Sequence, residues 1–92
     1  MGPNGRLTHE VYRDILRAIH ALRRLGESPT LSKIGYRASV PNNRLRKRLE
    51  ELGSMGFIDK GMVITQAGYG YVEDCARYLD PFLQKYGQKP EP

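Results

Sequence analysis

Apolar residues return every three or four positions through the first part of the chain. Val11, Ile15, Leu16, Ile19, Leu22 and Leu25 form one stripe, with charged residues between them. That period belongs to an amphipathic helix and predicts a first helix from an N-cap at Thr8 to about Leu25, closed by Gly26. Glu27-Ser28-Pro29 reads as a turn. Thr30 is placed to cap a second, short helix from Leu31 to about Arg37, with Leu31 and Ile34 inward. Ala38-Ser39-Val40 breaks the pattern, and Pro41 restarts it as the first residue of a third helix whose Leu45, Leu49 and Leu52 share a face. Asn43, Arg46 and Lys47 project from the other face, and Gly53 to Gly56 should end the helix.

Beyond Gly56 the pattern changes. Phe57 to Ile64, centred on Asp59-Lys60-Gly61, reads as a tight β-hairpin, a small wing. Thr65 then caps a final helix in which Val72, Cys75, Leu79, Phe82 and Tyr86 recur as a heptad seam. The seam is expected to pair two chains; the alternative is that it packs back on the first helix. Asp80-Pro81 marks a place where this helix would kink or restart. The expected fold is therefore mainly α with a small β-hairpin: a winged helix-turn-helix in the order helix, helix, helix, hairpin, helix. Residues 8–65 form that domain, 66–87 the dimerisation helix, and 1–7 and 88–92 flexible tails.

With 92 residues the chain is one small domain. Its net charge of +5 is uneven: residues 1–60 hold 12 cations and 6 anions, residues 61–92 only 3 and 4. The first two thirds are the candidate polyanion-binding part. The single Cys75 excludes an intramolecular disulfide, and with only His9 and His20 beside it there is no zinc spacing, so neither metal nor cofactor is expected. No apolar stretch approaches the ~20 residues of a membrane span, and the N-terminus lacks a signal-peptide apolar region, so the expected location is cytoplasmic and nucleoid-associated. There is no Gly-rich phosphate loop, no plausible carboxylate pair and no His beside a nucleophile, so catalysis is not expected, and no small-molecule ligand is evident. The six tyrosines read mostly as amphipathic core residues.

Four segments carry a resemblance. They are Ile34-Gly35-Tyr36-Arg37-Ala38-Ser39-Val40, Arg44-Leu45-Arg46-Lys47-Arg48-Leu49-Glu50-Glu51-Leu52, Gly56-Phe57-Ile58 and Ile64-Thr65-Gln66-Ala67-Gly68. From Ile15 to Tyr71 the chain resembles the archaeal winged helix-turn-helix DNA-binding proteins, including the small basic chromatin-associated type that dimerises through a C-terminal helix. The resemblance implies a recognition helix in the major groove, with Asn42, Asn43, Arg44, Arg46 and Lys47 as the contact set. Pro41 stands where the family often has a small capping hydroxyl, and Pro81 departs from a long coiled coil.

The expected function is double-stranded DNA binding by a homodimeric transcriptional regulator. Lys33, Arg37, Arg46 and Lys60 would neutralise phosphates, while Asn42, Asn43, Arg44 or Lys47 read bases. Arg48, nearest the leucine face, should lie along the core edge or meet Glu51 or Asp14. Two alternatives stand beside this: a sequence-tolerant architectural DNA-binding protein, and a protein-interaction module of the same fold whose basic helix meets an acidic partner.

Overall fold

The computed structural model describes residues 6–86. Helix α1 spans Thr8–Arg24 and is closed at its start by Glu10, whose carboxylate accepts the backbone N–H of Leu7 at 2.9 Å. The N-cap is therefore Leu7 rather than Thr8, and the capping group comes from inside the helix. Ile15, Leu16, Ile19 and Leu22 are buried as their spacing predicts, whereas Leu25 is exposed because the helix has already ended. Helix α2, Leu31–Ala38, starts at Thr30, whose hydroxyl accepts the Lys33 N–H at 3.3 Å, and stops at Ser39 in the left-handed region (φ 58°). Helix α3 spans Asn42–Ser54. Pro41 is its N-cap rather than its first residue, with its carbonyl accepting from Arg44 and Leu45, each at 2.9 Å.

One apolar core holds these elements. Ile15, Leu16 and Ile19 of α1, Ile34 of α2, and Leu45 and Leu52 of α3 are fully buried. Each removes roughly 1.5–3 kcal/mol worth of apolar surface from water. Ile58 and Ile64 close the core from the segment after α3. The turn from α2 into α3 folds back so closely that a Cβ on Gly35 would lie 2.7 Å from the Val40 carbonyl oxygen and 3.0 Å from Asn42 Oδ1. Only a residue without a side chain permits that turn.

The expected wing is absent, and the winged helix-turn-helix class is corrected accordingly. Among the described residues there is no strand, only an isolated antiparallel bridge between Ile58 and Ile64. Two cross-bonds flank that bridge, Asp59 N–H to the Val63 carbonyl at 2.9 Å and Thr65 N–H to the Phe57 carbonyl at 3.0 Å, but at the tip the amides turn to other partners. Asp59 Oδ1 accepts the N–H of Gly61 at 2.9 Å and of Val63 at 3.0 Å, an Asx turn in place of a ladder. Met62 sits at φ 61°, outside extended conformation, and Arg23 of α1 donates to the carbonyls of Gly61 and Met62. The loop is fastened to α1 and does not project as a hairpin.

The C-terminal helix runs without a break from Gln66 to Tyr86: α4 (Gln66–Asp74), a π-helical turn (Cys75–Leu79) and α5 (Asp80–Tyr86). Thr65 caps it, accepting the Gly68 N–H at 3.1 Å. In the π turn the Asp80 N–H reaches the Cys75 carbonyl, five residues back. Such a widened turn accommodates Pro81, which has no N–H to donate and would crowd a regular α-turn. The extra residue also rotates the heptad seam. Cys75 is buried and Val72 packs on the core, but Phe82 and Tyr86 emerge exposed on a different face. No helix of the described residues is long and apolar enough to cross a membrane.

Among the described glycines Gly68 leaves the least room: a Cβ there would fall 2.3 Å from the Phe57 carbonyl oxygen and 2.8 Å from Ile64 Cγ2. Gly68→Ala should lower stability by roughly 1–3 kcal/mol through overpacking. By contrast, Gly53→Ala, whose Cβ meets nothing within 4 Å, should be neutral or stabilising by about 0.5–1 kcal/mol. Urea unfolding of the two variants measures both; equal midpoints would contradict the packing described here.

Candidate nucleic-acid interface

Burial of Leu45, Leu49 and Leu52 determines what α3 presents to solvent. The 3.6-residue period turns Asn43 and Lys47 directly outward, with Arg44 and Arg46 on either flank. All four are exposed. The salt bridges among the described residues involve Arg6, Arg13, Arg17, Lys33 and Arg48, so Arg44, Arg46 and Lys47 are left unpaired there. These side chains offer several N–H donors along one helix face, which is chemistry suited to phosphate and base-edge acceptors.

The cations of α3 divide into two groups. Arg48 donates to Glu51 at 2.8 Å, and the Glu51 carboxylate also accepts the Tyr12 hydroxyl at 2.7 Å. The Arg48 guanidinium lies 6.0 Å from the Tyr12 ring centroid. This trio fastens α3 to α1 and sets the pitch at which the other three cations face solvent. The Tyr12 hydrogen bond, with Arg48 beside it, holds the Glu51 carboxyl below the usual range, and Glu51 in turn pushes the Tyr12 hydroxyl up.

A second fastening comes from Arg6. Its Nη1 donates to Asp14 Oδ2 and to the Ala38 carbonyl, and its Nη2 to the Ser39 carbonyl, each at 2.8 Å. Carbonyls at a helix C-terminus lack helical partners, so Arg6 satisfies the end of α2 and fixes the turn into α3. Asp14 continues the network to Arg13, which also pairs with Asp80 at the start of α5. Burial works against the charge on Arg13, but hydrogen bonding and proximity to Asp14, Asp80 and Glu10 hold its pKa above the ordinary value. Of the tails expected from the sequence, residues 1–5 and 88–92 lie outside the described residues.

The sequence-derived site residues do not all converge. Asn42, although exposed, has Oδ1 only 3.0 Å from where a Gly35 Cβ would be, so its carboxamide lies over the α2–α3 junction. Lys33 pairs with Glu27 at 3.2 Å. Arg37 borders a shallow depression with Asp14, Ala18 and Ala21 of α1. Lys60 lies beside Leu49, Glu50 and Gly53 in the later half of α3, away from Asn43 and Arg44. Sequence reasoning missed Tyr36, which is 88 % exposed on α2 between the Gly35 contact and Arg37. Its signal was present, since Tyr36 falls off the stripe formed by Leu31, Ile34 and Ala38.

The remaining reactive side chains serve packing. Tyr71 stacks on Phe57 at 4.8 Å between centroids and donates to the His9 carbonyl at 3.0 Å; burial raises its pKa well above the tyrosine range. Burial likewise pushes the Cys75 thiol up, which suppresses the nucleophilic thiolate. No metal-binding group of three or more His, Cys, Asp or Glu forms among the described residues.

The lowered Glu51 pKa fixes a sign. A depressed carboxyl adds stability above its unfolded pKa and loses that contribution as pH falls through the folded value. Wild type should therefore exceed Glu51→Gln in stability at pH 7, and the gap should close on acidification below about pH 4. Urea midpoints of the two proteins across pH give the test, and a gap independent of pH would contradict it.

No protein-family model, curated protein or solved structure matches this chain.

Proposed function

We propose that this protein binds double-stranded DNA as a homodimer, places α3 in the major groove through the α2–α3 helix-turn-helix, and acts in transcriptional regulation. A nucleoid location would follow. The observation that supports this best is the run Asn43, Arg44, Arg46 and Lys47, exposed on a helix that Tyr12, Glu51 and Arg6 hold rigidly. An α-helix fits the major groove, where arginine and lysine meet guanine edges and asparagine meets adenine. Tyr36, with its exposed hydroxyl, supplies a phosphate contact beside α3. Lys33, Arg37 and Lys60 serve as flanking phosphate contacts, and without a hairpin the helices carry the interaction.

One observation favours a second reading. Asn42 is turned onto Gly35, so three of the four outward α3 side chains are cations, a composition that weights phosphate over base contacts. A sequence-tolerant architectural protein would have this character.

The dimer is assigned to the exposed face of α5. Phe82 (57 %) and Tyr86 (66 %), with Tyr78 (67 %) one turn earlier, form an apolar edge continued by Leu79 and Leu83. Val72 and Cys75, expected in the same seam, face the chain's own core.

Duplex binding across a salt series should give a steep log-log slope in wild type. Arg46→Ala/Lys47→Ala should reduce that slope by about 0.9 for each phosphate no longer neutralised. Unaltered binding in that variant would remove α3 from the interface. A preference for one duplex over its scramble above about a hundredfold supports the regulator, whereas near-equal affinity supports the architectural reading. In sedimentation, wild type should be dimeric and Phe82→Glu/Tyr86→Glu monomeric; a dimer that survives both charges would overturn the α5 interface.

A further inference from the structure

An open groove of about 640 Å³ lies between α1 and the first half of the C-terminal helix, on a different surface from α3. Its floor is apolar: Leu16 of α1, Ile64, and Val72 and Ala76 of the C-terminal helix. Gly70 lines it, and a Cβ at that position would meet nothing within 4 Å, so there is room there for a larger side chain. This volume falls within the roughly 300–1,000 Å³ of small-molecule sites, which combine an apolar lining with a few placed polar groups.

The polar groups Arg17, His20, Gln66 and Tyr69 sit on the rim, with Arg17 the one fixed cation among the described residues that line it. Arg17, half exposed, contacts Asp80 through Nη2 alone at 3.4 Å, while Asp80 is held more closely by Arg13. The other guanidinium N–H groups of Arg17 have no partner among the described residues. His20 lies three residues further along the same α1 wall, its Nδ1 3.1 Å from the Tyr69 hydroxyl. A ligand would thus meet a guanidinium, an imidazole and a phenol along one side. Among the described residues, Glu73 on the opposite wall is the only carboxylate bordering the groove, and it opposes a second negative charge.

We infer that this groove binds a small amphipathic monoanion, an aromatic or branched apolar body bearing one carboxylate or sulfonate. The body covers Leu16, Ile64 and Val72, and the head reaches Arg17 and His20. Arginine suits such a head because its planar fork matches the acceptor geometry of the anion. The site shares no residue with the α3 face, so its test is independent of DNA binding.

The probe is 8-anilinonaphthalene-1-sulfonate, followed by fluorescence, with circular dichroism confirming that each variant folds. Wild type should bind at micromolar concentration. Filling the groove by Gly70→Leu should weaken binding at least tenfold, and Ala76→Trp gives the same test from a second position. Arg17→Ala should weaken it about fivefold, but should leave the uncharged analogue N-phenyl-1-naphthylamine unaffected. Binding that survives both groove-filling variants, or is lost only in Phe82→Ala/Tyr86→Ala on α5, would overturn the site. Equal affinity of wild type and Arg17→Ala for the sulfonate would overturn the anionic head.

Discussion

The tight turn from α2 into α3 over Gly35 is the constraint on which the rest of the structure depends. The Val40 carbonyl of the turn and the Asn42 carboxamide occupy the space a Gly35 Cβ would need, so the chain can fold back tightly from α2 into α3 only over a glycine. The turn brings Leu45 into the same core as Ile34, and once Leu45 is fixed the helical period determines every other direction on α3. Asn43 and Lys47 point outward because Leu45, Leu49 and Leu52 point inward. The candidate interface is thus a consequence of core packing.

Polar fastenings then hold that geometry from outside the core. The Tyr12–Glu51–Arg48 trio ties α3 to α1, and Arg6 ties the α2–α3 turn to Asp14. These contacts use one α3 cation and leave three. The same logic separates the halves of the C-terminal helix. Its first half meets α1 and the Phe57–Ile64 segment through Tyr71, Val72 and Cys75. Asp80, held by Arg13 and Arg17, is the last strong tie before the exposed aromatic edge of α5.

Much of this was legible in the sequence. The three helices of the first half announced themselves because each buries a regular stripe, and Thr30 and Thr65 cap where their spacing placed them. The hairpin was misread because Asp59-Lys60-Gly61 is as suitable for an Asx turn as for a hairpin turn. Local pattern does not reveal that the Asp59 carboxylate takes the Gly61 and Val63 amides or that Arg23 takes the loop carbonyls. The seam does not stay on one face because a π turn inserts a residue after Cys75, and a heptad count assumes a constant period: Val72 and Cys75 turn to the chain's own core, Phe82 and Tyr86 to solvent. Arg6 lay in a stretch without periodicity and carried no signal of its contact to Ser39. Tyr36 did carry one, in its phase relative to Ile34, but tyrosine's amphipathic character suggested burial.

The most direct test of the central claim, that the outward face of α3 meets DNA, is a two-dimensional 15N–1H correlation spectrum of the protein titrated with a short duplex. The account predicts the largest amide changes at Tyr36 and from Asn43 to Lys47, with little change at Tyr78, Phe82 or Tyr86. Changes confined to α5 or to the α1–α4 groove, with α3 undisturbed, would contradict it.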